Sequence, residues 1–268
     1  MPITENALPA GASKFSVVVA ANDDNVLRGS LMRSPDMQSV KEVLVQRGFA
    51  SAAQAYNTGL KAATAEAIVF VHQDVFFPEG WFESVSQAIA AISVRDPDWG
   101  VLGVFGISLS GEGVGHLYST GLQCVLGHAF DKPIQVCSLD EVVLIMRRSS
   151  GLQFDENLSG FHLYGADICL AAQRKGLNCY AISAFCVHNS NGHALLPRSY
   201  LQAASYVRRK WRADLPIRTP CMVITRWGTP LIRHYVRSWI ALARKRQPGV
   251  RCADPSALYQ QLWNERKL

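Results

Sequence analysis

The stretch Ala67-Ile-Val-Phe-Val-His72-Gln73-Asp74-Val75 sets an imidazole, an amide and a carboxylate at the end of an apolar run. A helical pattern precedes the run and Pro78-Glu79-Gly80 follows it, so it reads as a buried strand of an α/β sheet. Open α/β sheets bind their ligands at the carboxyl ends of their strands. Side chains alternate along an extended segment, which turns His72 and Asp74 one way and Gln73 the other. A carboxylate and an imidazole side by side suit a divalent cation and the phosphates it carries. The same spacing also fits a loop aspartate that caps the next turn, and spacing alone leaves both readings open.

Other elements must bring partners to that strand end. Phe15-Ser-Val-Val-Val-Ala20 is a β-branched strand ending in Asn22-Asp23-Asp24-Asn25. Asn22 and Asp23 there could read a nucleobase or ribose, or could form an Asx turn. Ser51 opens a helix to about Thr64, with Ala53, Tyr56, Leu60 and Ala63 on a narrow face and Asn57 as its polar exception. Trp81, Val85, Ile89 and Ile92 mark a second helix that stops near Asp96-Pro97-Asp98. Val101 to Ile107 reads as one strand whose glycines allow close approach of backbone or ligand. Ser108 to Lys132 is Gly-rich and reads as a long functional loop, without a P-loop or dinucleotide fingerprint. A strand at Val142–Met146 follows Leu139-Asp140-Glu141. Then come Phe154-Asp155-Glu156, Phe161-His162-Leu163-Tyr164-Gly165, and a helix with Asp167 in its first turn and Gly176 past its end. A last strand, Tyr180–Val187, ends in His188-Asn189-Ser190.

With 268 residues, 49% of them hydrophobic, the chain fits one large domain or a domain with an appendage. No apolar stretch is long enough to span a membrane, and Met1–Ser13 reads as a short disordered lead rather than a secretory signal. Seven cysteines without a CxxC pair point to reduced thiols in a cytoplasmic protein and away from zinc. From Arg198 onward there are 15 Lys/Arg against 3 Asp/Glu, whereas the first 197 residues hold 12 against 18. That boundary divides an acidic body, 14–197, from a basic extension, 198–268. The extension has helical stripes: Tyr200, Ala204, Val207 and Trp211; then Leu231, Tyr235, Trp239 and Leu242 after Thr229-Pro230; then Leu258 and Leu262 after Asp254-Pro255. Its charge fits a solvated helical face, a membrane surface at the inner leaflet or, with no motif to support it, nucleic acid.

The joint order of these features resembles the glycosyltransferases of the GT-A fold, close to the family-2 group. The nearest likeness is the glycosyltransferase-like branch with His-Gln-Asp-Val where most members carry Asp-x-Asp. Val71-His72-Gln73-Asp74-Val75 and Phe161-His162-Leu163-Tyr164-Gly165 carry the resemblance, over residues 14–211. It implies a Rossmann-like mixed sheet. It implies that Asp74 and His188 hold Mn2+ or Mg2+, with His72 in place of the first aspartate. It places Asn22, Asp23, Asn57, His72 and Asp74 around a nucleotide-sugar donor, UDP-linked in most members. Asp167 matches the catalytic base of inverting members, although Ala166 stands where the family has glutamate. Asp140, Asp155 and His162 are candidates for the acceptor side.

The expected activity is therefore transfer of a sugar from a nucleotide donor to a glycan or lipid-linked acceptor in polysaccharide synthesis. The competing expectation is a non-catalytic nucleotide-sugar or glycan-binding module on the same fold. Ala166 and the loss of the first aspartate motivate it.

Overall fold

The computed structural model describes residues 12–192, 196–230 and 249–268, together with positions 232, 233, 236 and 240. The stripe from Leu231 to Leu242 and most of the lead lie outside them.

The apolar run Phe15–Ala21 forms β1, buried along nearly its whole length. A short helix α1 (Asp24–Gly29) follows, then β2 (Glu42–Arg47), α2 (Ala52–Ala62) and β3 (Ala67–His72). β1 pairs in parallel with both β2 and β3. Ser51 caps α2 by accepting the Gln54 N–H, as its position before the helical pattern requires. Gly59 then lets α2 close on β1, since a Cβ there would lie 2.2 Å from a Val18 methyl.

β4 (Val75–Phe76) and α3 (Trp81–Arg95) come next, followed by β5 (Val101–Gly103), β6 (Phe105–Ser108), β7 (Gly113–Ser119) and β8 (Cys124–Gly127). The body is completed by β9 (Ile134–Leu139), β10 (Val143–Arg147), α4 (Tyr164–Arg174), β11 (Cys179–Ala181) and β12 (Cys186–His188). The sheet runs β2-β1-β3-β10-β5-β11-β9-β6-β7-β12-β4, with β8 paired to β7. β10 runs antiparallel between β3 and β5, so the sheet is mixed, as expected.

Alternation along the central strands builds a core on each face. Val18, Ile68 and Phe70 pack with α2 and α4, while Val17, Val19, Val69 and Val71 pack with α3.

Four expectations change. The strand expected over Val101–Ile107 breaks at Val104 into β5 and β6, and the one over Tyr180–Val187 breaks into β11 and β12. The glycine at 106 meets backbone rather than ligand: a Cβ would lie 2.4 Å from the Ser138 carbonyl of β9. The Gly-rich stretch after Ser108 is largely the β7–β8 hairpin, where a Cβ on Gly127 (φ 73°) would lie 2.0 Å from the Gly115 carbonyl. β2 was not foreseen, because this half-buried edge strand mixes Glu, Gln and Arg among its valines and leucine.

The charge boundary at Arg198 is not a packing boundary. α5 (Arg198–Lys210) buries Tyr200, Ala203, Ala204 and Val207 in the same core as α2 and α4. The small ladder of β13 (Ile217–Arg218) and β14 (Val223–Ile224) adds Ile217 and Ile224 to it. α6 (Pro255–Asn264) starts at an Asp254 cap and is fastened back to the body through Arg33. Among the described residues, no helix is long and apolar enough to cross a membrane.

Candidate metal and donor site

Two strand ends build the site. β3 delivers His72, and the turn into β4 delivers Asp74. β4 pairs antiparallel with β12, which sets His188 opposite Val75, and the Asn189 N–H donates to the Asp74 carbonyl at 2.8 Å. The Asp74 carboxylate thereby lies 3.5 Å from His188 Nε2, and the rings of His72 and His188 are 5.5 Å apart. One ligand atom from each of His72, Asp74 and His188 falls within 4.8 Å of the others.

Alternation works as expected around this group. Gln73 turns the other way: its Oε1 accepts the backbone N–H groups of Asn22 (3.0 Å) and Asp23 (3.1 Å), and its Nε2 donates to Asn22 Oδ1. The ends of β1 and β3 are thus tied together by one side chain.

β10 enters the site because it runs against β3. The His72 N–H donates to the Val142 carbonyl at 3.2 Å, which brings Asp140 and Glu141 to the same sheet end. The Tyr164 hydroxyl, from the start of α4, donates to the Glu141 carbonyl at 3.0 Å and lies 2.7 Å from His72 Nε2. With its proton given to Glu141, the phenolic oxygen accepts from His72 Nε2–H, and the Nδ1 lone pair is left for a ligand.

The electrostatics separate these groups. Burial pushes the His72 imidazole down to about 4, with the Asp74 charge offsetting only part of that, so His72 is neutral at physiological pH. Burial works against the Asp74 charge, but His188, then His72 and Arg251, outweigh it and hold Asp74 well below the usual carboxylate range. His188 is raised, because Asp74 overcomes the opposing effect of burial. Burial and then the Asp140 charge push Glu141 up to about 8, and burial also raises Asp140.

A cleft of about 280 Å3 opens beside the group, lined in part by Asn22, Gln46, Phe49, Tyr56, His72, Asp74 and Phe161. That is near the lower end for small-molecule sites. One carboxylate and two imidazoles form a donor set that fits a first-row divalent ion, Mn2+ better than Mg2+ because of the nitrogens.

Several expected site residues have other partners. The Asp23 carboxylate caps α1, accepting from Asn25 N at 2.9 Å and Val26 N at 3.3 Å, which is the Asx-turn alternative. Asn57 is buried and clamps the 154–156 loop to α2: it donates to Phe154 O and Glu156 Oε1 and accepts from Phe154 N, each at 2.9 Å. Asp167, expected as the base, is sealed. Its carboxylate, 3% exposed, accepts from Lys210 Nζ at 2.8 Å on both oxygens and from Trp211 Nε1 at 2.7 Å. Asp155 shares Lys210 at 2.7 Å and accepts from Tyr206. Asp140 caps the turn before β10 through Val142 N and remains at the site. His162 packs against Tyr200 at a ring separation of 5.5 Å and feels His72 electrostatically. Glu141 and Tyr164 were not singled out as site residues, since the sequence does not reveal that β10 runs against β3.

Comparisons with known proteins agree with the resemblance. Residues 16–205 match a family model described as a glycosyltransferase-like family. A curated relative from Fuscovulum blasticum, named ATP synthase subunits region ORF 6, is 31% identical over 156 residues, covering 56% of this chain and 61% of its own. The matched region thus spans under two thirds of that relative. Among solved structures, GalNAc-T7 with UDP, GalNAc and Mn2+ matches with a TM-score of 0.47 at 11% identity, over 76% of this chain and 52% of its own. S. aureus TarS 1-349 matches with a TM-score of 0.44 at 14% identity, over 74% and 65%.

Proposed function

The chain belongs to the glycosyltransferase-like family, and from that premise we propose that it moves a sugar from a nucleoside diphosphate to a hydroxyl of a glycan or lipid-linked acceptor. The observation that carries this reading is the His72–Asp74–His188 group at the mouth of a cleft at the strand ends. A divalent ion held by these three residues would neutralise the charge that builds on the leaving diphosphate. Tyr164 orients His72 for that task through the hydrogen bond at 2.7 Å. Asn22 and the rings of Phe49 and Phe161 line the cleft where a base and ribose would sit. UDP is the nucleotide we assign, following the resemblance.

The acceptor hydroxyl must lose a proton as it attacks. Asp167 is buried and bound to Lys210 and Trp211, so we assign that role to the Asp140–Glu141 pair. Glu141, pushed up to about 8, is matched to proton transfer near neutral pH. Inversion at the sugar follows from a single displacement with such a base.

The sealing of Asp167 is also what favours the second reading, a binding module without turnover. Arg208, Arg209, Arg212, Arg226 and the exposed Trp227 surround a second cleft. From Leu215 to Ala253 the chain carries no Asp or Glu to neutralise it. This composition supports peripheral contact with anionic lipid phosphates, where a lipid-linked acceptor would be found.

The deciding experiment is release of nucleoside diphosphate from a panel of nucleotide sugars, with and without Mn2+ and candidate acceptors. Turnover of one donor that needs Mn2+ and is lost in Glu141→Gln supports the transferase. Saturable donor binding with no turnover under any acceptor supports the binding module.

A further inference from the structure

The segment Gly249–Ala253 returns from the basic region and lies directly against the metal group. Gly249 donates to the Gly121 carbonyl at 3.0 Å and accepts from Gly192 N at 2.9 Å. The approach is so close that a Cβ on Gly249 would lie 2.0 Å from the Thr120 carbonyl. Asn189, 1% exposed, then grips both sides of the next peptide units. Its Oδ1 accepts from Cys252 N at 2.8 Å and its Nδ2 donates to Cys252 O at 3.0 Å, while Asn191 Oδ1 accepts from Arg251 N at 2.9 Å. This backbone lacing fixes the root of one side chain, Arg251. Its Nε donates to the Asn189 carbonyl at 2.8 Å and its Nη2 lies 3.3 Å from Asp74 Oδ2. Nη1 has no hydrogen-bond partner among the described residues, and the side chain is 31% exposed.

We propose that Arg251 is a fixed cation of the donor site that contacts the diphosphate beside the ion held by Asp74. This rests on the donor-site reading above and adds a residue to it. A diphosphate whose ion was held by Asp74 would bring its oxygens beside that carboxylate, where the Arg251 guanidinium, 3.3 Å from Asp74 Oδ2, could reach one of them. The charges agree with this placement. Asp74 is the one carboxylate of the His72–Asp74–His188 group, so a divalent ion leaves that set at a net single positive charge. Arg251 brings it to two, which balances the two negative charges of a nucleoside-diphospho sugar. A planar guanidinium held at Nε offers its outer edge to two phosphate oxygens at once.

The same contact makes Arg251 a competitor of the ion in the empty state, since both positive charges lie against Asp74. That gives the test opposite signs. Titration calorimetry measures Mn2+ alone, and then UDP, GDP and ADP in the presence of Mn2+, on wild type, Arg251→Gln and Arg251→Lys. Arg251→Gln is expected to weaken the best diphosphate by about 10- to 100-fold while Mn2+ alone binds as well as or better than to wild type. Arg251→Lys, with its charge but not its fork, is expected to fall between. If diphosphate and Mn2+ weaken together, Arg251 is only a latch that shapes the site, and the assignment is overturned. An unchanged diphosphate affinity overturns it as well. If wild type binds no diphosphate with Mn2+, the donor-site reading fails and this proposal falls with it, an outcome distinct from the other two. Thermal melts of both variants check that the segment still folds onto the body.

Discussion

Two acidic clusters in this chain look alike in sequence and differ in what surrounds them. Asp74 faces two imidazoles, a guanidinium and a cleft. Asp167 and Asp155 face Lys210, Trp211 and Tyr206, and every one of these partners is a donor. In the first arrangement Arg251 makes a single 3.3 Å contact with Asp74 beside a cleft; in the second Lys210 is gripped by both carboxylates at once. A carboxylate on a motif is thus a site only where its neighbours leave coordination open, and a buried ion pair elsewhere is a structural feature.

The widest separation between the clusters is expected in stability. Asp167→Asn leaves Lys210 with Asp155 as its remaining carboxylate and breaks a hydrogen-bonded network around a buried side chain, and should cost about 1–3 kcal/mol in denaturant unfolding. Asp74→Asn takes from His188 and Arg251 the carboxylate they share, but the group lies beside an open cleft where water can solvate the charge, so it should cost less. A small loss in Asp167→Asn would erase the contrast.

Metal affinity should sharpen it from the other side. His188→Gln is expected to weaken Mn2+ by about 10- to 100-fold, and Tyr164→Phe by a smaller factor, because it loosens His72 without removing a ligand. Substitution of Tyr206 should leave Mn2+ binding untouched.

The pH dependence of stability separates the carboxyls again. Glu141 sits at about 8 in the folded chain against an ordinary value near 4.5. Between those values the folded state holds a proton that the unfolded state has released, so Glu141 makes stability fall as pH rises through that window. Glu141→Gln should raise the melting midpoint near pH 8 by at least about 2 °C and change little near pH 4.5. Asp74 and Asp155, both held below their ordinary range, act in the opposite sense and lose their contribution only as pH falls below about 4. A Glu141→Gln gain that is flat across pH would contradict a raised Glu141.

The smallest effect belongs to the rim. Arg33→Ala removes an ion pair with Asp254 in which both side chains are over 40% exposed, at 45% and 42%. It should barely move the melting midpoint.

Local chemistry was legible in the sequence, and long-range pairing was not. The apolar run before His72 and the alternation of His72, Gln73 and Asp74 gave the strand end and its facing correctly, because both depend on neighbours in the chain. Ser51 and Asp254 were readable as caps for the same reason. Glu141 enters the site only because β10 runs antiparallel beside β3, which no local pattern announces. The partners of Asp167 lie 43 and 44 residues further on, which no local pattern announces. Arg251 is 177 residues from Asp74 and sat unremarked in a run of basic residues.

The central claim is that Asp74 and not Asp167 is the functional carboxylate. Calorimetry of UDP binding in the presence and absence of Mn2+, on wild type, Asp74→Asn and Asp167→Asn at a temperature where all three are folded, tests it directly. The account predicts Mn2+-dependent binding in wild type and Asp167→Asn, and at least about 100-fold weaker binding in Asp74→Asn. Retention of Mn2+-dependent binding in Asp74→Asn, with its loss in Asp167→Asn, would contradict it.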